Sequence, residues 1–148
     1  MRMLLHIDQL RKQFRTPGGE VWPVVDVPAF SLAAGQQVAL RGASGTGKTT
    51  FLHLIAGILQ ADGGRVLIDN GQGVQDMAAL SESRRDALRA ATLGYIFQTF
   101  NLLQAFTALE NVTLGMLFGR GVDAARAAAL LQRVGLGDRL HYRPRQLS

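Results

Sequence analysis

Cysteine is absent from the 148 residues, which excludes disulfides and thiolate metal sites and fits a reducing compartment. Long apolar runs are missing too. The longest, such as residues 112–119, fall far short of the roughly 18 to 20 residues a membrane-spanning helix needs. The opening text MRMLLHIDQLRKQF reaches Asp8 before an apolar stretch develops, so no secretory signal is expected and a cytoplasmic location is. Acidic residues are outnumbered: 16 Lys and Arg stand against 11 Asp and Glu, a net charge of +5. That balance favours polyanions in general. The basic residues come in ones and twos, however, at Arg11-Lys12, Arg84-Arg85, Arg143 and Arg145, with no basic stripe interleaved with aromatics. Nucleic acid is therefore not expected as a partner. A hydrophobic share of 47% and a charged share of 18% are those of a globular chain of single-domain size.

What is present is one stretch rich in chemistry. Residues 42–50 read Gly-Ala-Ser-Gly-Thr-Gly-Lys-Thr-Thr, and Gly42, Gly47, Lys48 and Thr49 match G-x-x-x-x-G-K-[ST] at every fixed position. Triphosphate oxygens must be met by several backbone N–H groups at once, so the loop needs glycines where a Cβ would obstruct close approach. Gly42, Gly45 and Gly47 supply them. A helix starting here adds unpaired N–H groups and a partial positive charge. Lys48 adds a full charge for the β- and γ-phosphates, and the Thr49 hydroxyl is placed for Mg²⁺. The residues expected to contact nucleotide are Gly42, Ser44, Gly45, Thr46, Gly47, Lys48, Thr49 and Thr50. Upstream, Val38, Ala39 and Leu40 read as a buried strand entering the loop. Downstream, Phe51, Leu52, Leu54, Ile55, Ile58 and Leu59 recur at helical spacing until QADGG breaks the pattern.

A phosphate loop names a class, not a function. The Asn-Lys-x-Asp and Asp-x-x-Gly strings of a GTPase do not occur. The segment VLID, residues 66–69, reads as a strand ending in the hairpin turn Asp69-Asn70-Gly71 rather than as a metal-supporting aspartate. His6, His53 and His141 are too dispersed in sequence to indicate a metal site. The stripe Ala125, Ala128, Leu131 and Val134, opened by Asp123 as N-cap and closed near Gly135, reads as helix packing.

Three further segments come into register with one family. RKQF places Phe14 about thirty residues before the loop, GYIFQTFNLL places Gln98 after the apolar residues 94–97, and FTALENVTL is followed by VGLGDRLHYRPRQLS. Together with the loop, these make the chain resemble the first part of an ATP-binding cassette (ABC) ATPase. The wording is nearest to the ATPases of lipoprotein-releasing and macrolide-exporter complexes. Departures are Phe14 where tyrosine is common, Ala43 where proline is common, and one extra residue in PVVDVPAFSLAAGQQ.

The resemblance implies an α/β P-loop NTPase fold with an N-terminal antiparallel β region, a phosphate-loop strand and helix, a strand leading to Gln98, and part of a helical subdomain. It divides the chain at about residues 1–98 and 99–148. It implies ATP and Mg²⁺ as cofactors, Phe14 stacked on adenine, and Gln98 at the metal and the attacking water beside Thr49; Lys48 and Gln98 are the residues implied in catalysis. Implied partners are transmembrane permease subunits and a second ATP-binding subunit in a head-to-tail dimer, at the inner face of the plasma membrane. Leu147-Ser148 resembles the start of the family's Leu-Ser-Gly-Gly-Gln signature. The family's water-activating glutamate, metal-supporting aspartate and switch histidine are expected beyond it, so the 148 residues alone are expected to hydrolyse ATP negligibly and to be marginally stable. A nucleic-acid-associated ABC module and a P-loop kinase are the alternatives.

Overall fold

The computed structural model describes residues 2–117, 119 and 121–147. They form two units, Met1–Leu93 and Gly94–Ser148.

The first unit is built on two long strands. β1, Met3–Arg15, and β2, Val21–Ala33, pair antiparallel around a turn containing Pro17, Gly18 and Gly19. Two shorter strands follow, β3, Gly63–Asp69, and β4, Val74–Asp76, giving the order β2-β1-β3-β4 with every neighbouring pair antiparallel. The expected antiparallel β region is therefore present. Leu5 and Ile7 alternate inward as a strand requires, and then Gln9 adopts φ 50 and Leu10 takes the next core position. This irregularity falls where the β1–β3 register shifts between Asp8 and Arg11. Gly64 meets it from the other side: at φ +87, a Cβ there would lie 2.2 Å from the Gln9 carbonyl oxygen. Only glycine permits that approach.

Leu5, Ile7, Leu10, Val25, Val66 and Ile68 from the sheet enclose the core with Leu54, Met77 and Leu88. Ile7, Leu10 and Val66 are fully buried, each contributing about 1.5 to 3 kcal/mol. Leu54 comes from helix α1, Lys48–Ile55, and Leu88 from α2, Glu82–Thr92. Periodicity carries the first helix to Leu59, but it ends four residues earlier. Gly57 turns left-handed, its N–H bonds to the Leu54 carbonyl, and the Ile58 N–H bonds to that of His53, a Schellman cap.

The turn predicted at Asp69-Asn70-Gly71 is observed, with Asp69 opposite Val74. Asp69 anchors the end of β3: Arg2 donates to it through Nε at 2.6 Å and Nη2 at 2.8 Å, and the Gly71 N–H donates at 2.9 Å. The Arg2 hydrogen bond, aided by the Gly71 amide, holds its carboxyl below the usual carboxylate range.

Two expected strands carry no ladder. Residues 38–40 and 94–97 lie outside the sheet, because among the described residues no strand runs beside either. Val38 is 60% exposed and Ile96 97%. Val38 and Leu40 instead line an apolar groove of about 660 Å³ with Val24, Phe30, Phe51 and Ile55.

The second unit contains α3, Ala108–Met116, α4, Ala124–Arg133, and a short α5, Pro144–Leu147. A capping box opens α3: the Glu110 N–H donates to the Thr107 hydroxyl, and the Glu110 carboxylate accepts from the Thr107 N–H. Asp123 caps α4 through the Arg126 N–H, and left-handed Gly135 closes it. The buried face differs from the predicted stripe. Ala127 and Leu131 are inside while Ala125 and Val134 are exposed, since alanines on every side leave the apolar face poorly marked. Ser148, the second residue of the expected signature, lies outside the described residues.

The Arg2–Asp69 pair yields a pH test. Its contribution is complete above the ordinary carboxylate range and disappears as pH falls through the lowered pKa of Asp69. Denaturant melts of wild type and Arg2→Ala should therefore differ at about pH 6 and converge towards about pH 2. A stability difference independent of pH would contradict the assignment.

Candidate functional site

The phosphate-loop sequence forms a loop whose backbone turns left-handed at Gly45, φ 79, and at Gly47, φ 84. Ser44 and Gly45 form the outer turn, and both are exposed. Gly47 is the N-cap of α1 and supplies no side-chain cap. The first intrahelical bond runs from the Phe51 N–H to the Gly47 carbonyl at 2.8 Å. The N–H groups of Lys48, Thr49 and Thr50 thus have no acceptor within the helix, and the positive end of its dipole is left bare.

The sheet fixes where this occurs. Lys12 of β1 faces Val25, but Gln13 faces Pro23, so the register skips Val24. Val24 is the extra residue of a bulge, which takes its backbone out of the ladder. Gly47 packs against it: a Cβ on Gly47 would lie 2.5 Å from the Val24 carbonyl oxygen and 3.0 Å from its Cγ1. Any larger residue must move the loop or the strand.

Lys48 folds back on the loop. Its Nζ donates to the carbonyls of Gly42 at 2.9 Å and Ala43 at 2.5 Å, and lies 3.4 Å from Thr46 Oγ1. Thr46 Oγ1 in turn donates to the Ala43 carbonyl at 2.9 Å. The loop therefore gathers one ammonium and a row of unpaired amides on the same few residues, an arrangement suited to a multiply charged anion. Thr49 is exposed beside them and Thr50 is half-buried.

Phe14 lies on the same unit. It pairs directly with Trp22, and both are exposed, 42% and 63%. Trp22 precedes Val24 by two residues, about 7 Å along the strand, so β2 carries both the seat of the loop and the partner of Phe14. Gln98 is exposed and belongs to the second unit, so the loop unit does not include it. Near it, Thr99 Oγ1 donates to Asn101 Oδ1 at 2.9 Å. The bulge at Val24 was not anticipated from the sequence. Its signal was Pro23, which lacks an N–H and in a strand marks an edge or an irregularity.

Residues 25–148 match the family model described as ABC transporter. The chain belongs to the ABC transporter family. It is 43% identical over 129 residues to the lipoprotein-releasing system ATP-binding protein LolD of Xanthomonas oryzae pv. oryzae, covering 85% of this chain and 51% of that protein. It is 40% identical over 149 residues to LolD of Hydrogenovibrio crunogenus, covering 99% of this chain and 63% of the relative. The chain thus spans between half and two thirds of the curated relatives it matches. Among solved structures, the ATP-binding cassette MJ0796, a dimer in a post-hydrolysis state bound to ADP and Pi, superposes with a TM-score of 0.86 at 29% identity, over 98% of this chain and 63% of that one. The P-loop NTPase fold of the ABC cassettes is thereby established for this chain.

Gly47→Ala should lower stability by about 1 to 3 kcal/mol, the cost of a non-glycine residue held at that φ, because the obstructing atom is backbone rather than a side chain that can swing away. Thermal unfolding checks it; an unchanged midpoint would show that the loop is not seated on Val24.

Proposed function

We propose that the chain is the nucleotide-binding portion of the ATP-binding subunit of an ABC transporter of the lipoprotein-releasing or macrolide-exporter type. The observation that carries this reading is the uncapped start of α1, seated on the Val24 bulge with Lys48 folded over it. The neutral carbonyls of Gly42 and Ala43 hold the Lys48 ammonium in place. Phosphate oxygens are stronger acceptors, because charge-assisted hydrogen bonds are roughly twice as strong as neutral ones. Lys48 then exchanges its partners for the β- and γ-phosphates, and the amides of Gly45 to Thr50, with Ser44 and Thr46, enclose the rest.

Phe14 stacks on adenine, at the end of the hairpin and about 7 Å along the strand from the loop's seat. Mg²⁺ fits the donor set. Among the described residues no group of three or more His, Cys, Asp or Glu is placed to hold a metal, which suits an ion bound chiefly by phosphate oxygens and water. Thr49 would hold it from the loop, and the family reading makes Gln98 a further candidate. When bound, it neutralises phosphate charge. Gln98 orients the attacking water.

The partners follow from the family reading: permease subunits in the membrane and a second ATP-binding subunit, head to tail. The family reading attaches the subunit to the cytoplasmic face through its permease; no helix among the described residues is long and apolar enough to cross a membrane. Docking through the region after Gln98 is supported by its apolar exposure, with Phe100 at 91% and Leu102, Leu103 and Phe106 also exposed.

Equilibrium binding of ATP·Mg²⁺ to wild type and Lys48→Ala tests the reading. Loss of the charged donor should weaken binding about ten- to hundredfold, and equal affinities would refute it.

A further inference from the structure

Asp62 makes three contacts with consecutive residues of β1. Its N–H donates to the Arg11 carbonyl at 3.0 Å, its Oδ1 accepts from Lys12 Nζ at 2.7 Å, and its Oδ2 accepts from the Gln13 N–H at 2.8 Å. The position is informative. The last β1–β3 pair is Arg11 with Gly63, so beyond Arg11 the first strand runs on with β2 alone. Asp62 extends its support by two residues, up to the one that precedes Phe14. Lys12 is well covered for a lysine, its side chain only 13% exposed, and its Nζ lies 5.5 Å from the centroid of the Phe14 ring, within the range of a cation–π contact. The ammonium is thus held between a carboxylate that fixes it and an aromatic face that it covers.

We propose that Lys12 and Asp62 are a positioning pair for Phe14, orienting the ring so that its open face receives the nucleotide base. This rests on the reading of Phe14 as the base-stacking residue. Lys12 does not touch the base. It restricts the ring, so that less conformational freedom is lost when the base arrives. The same contacts hold the Asp62 carboxyl below its usual range, the Lys12 hydrogen bond first and the Gln13 amide second.

The test compares affinity for ATP·Mg²⁺ with affinity for inorganic tripolyphosphate·Mg²⁺ in the 148-residue chain, by calorimetry. Tripolyphosphate has the anionic groups and no base. Lys12→Met removes a positive charge and Asp62→Asn removes a negative one, so a purely electrostatic role moves their affinities in opposite directions. The positioning role predicts that both variants weaken ATP about two- to fivefold and leave tripolyphosphate within about twofold of wild type. In the Phe14→Ala background neither substitution should then have a further effect. Opposite shifts in the two variants, or equal losses for both ligands, would overturn the proposal. If Phe14→Ala weakens ATP selectively while Lys12→Met and Asp62→Asn do not, positioning fails and base stacking stands. If Phe14→Ala leaves the ATP-to-tripolyphosphate ratio unchanged, stacking itself is wrong and positioning falls with it. Thermal melts of each variant separate loss of fold from loss of binding, and Asp62→Asn, which keeps an acceptor for the Gln13 amide, still gives the answer if Lys12→Met unfolds.

Discussion

Gly47 sits so close to the Val24 carbonyl that no side chain fits between them. The rest of the site follows from this one steric constraint. A left-handed residue at that point lets the chain leave the loop and enter α1 with its first amides unpaired, and a strand bulge supplies the surface against which the turn is made. The alternative, a helix capped by a serine or aspartate side chain, would satisfy those amides internally and remove them from use. The loop instead remains polar and exposed, while the helix below it is pinned by Leu54 in the core and by the edge-to-face contact of Phe51 with Phe30. A rigid support under a glycine-rich mouth is the arrangement expected where function needs preorganised donors.

The sheet does more than provide a core. β2 is an edge strand containing Pro23 and Pro28, residues tolerated there because an edge leaves backbone groups outside the ladder. One strand therefore carries the seat for a phosphate-binding loop and, two residues earlier, the cross-strand partner of an exposed aromatic. A ligand with an anionic end and a flat end suits that layout. Arg2 with Asp69 and Lys12 with Asp62 fasten the chain at points where β1 meets the ends of β3. These pairs fix local geometry; global stability comes mainly from the apolar core.

What could be read in the sequence was what local chemistry determines. The phosphate loop, the turn at Asp69-Asn70-Gly71, the Asp123 cap and the closure at Gly135 each depend on a few adjacent residues, and the structure shows all four features. The apolar residues 38–40 and 94–97 read as strands because their composition is that of strands. Strand formation also needs a neighbour, which composition does not reveal, and none runs beside them among the described residues. The early end of α1 was hidden for a similar reason: Gly57 is held against Met77, with a Cβ there only 2.5 Å from Sδ, and that contact is remote in sequence. The Val24 bulge is a property of the pairing between two strands, so Pro23 hinted at it without placing it.

The amides at the start of α1, with the Lys48 ammonium, are the groups proposed to receive phosphate. Titrating the isotopically labelled chain with ATP·Mg²⁺ and following its backbone amide resonances tests this most directly. The resonances of Gly45, Gly47, Lys48 and Thr49 should move furthest and saturate together. Saturable binding that leaves those four unmoved would contradict it.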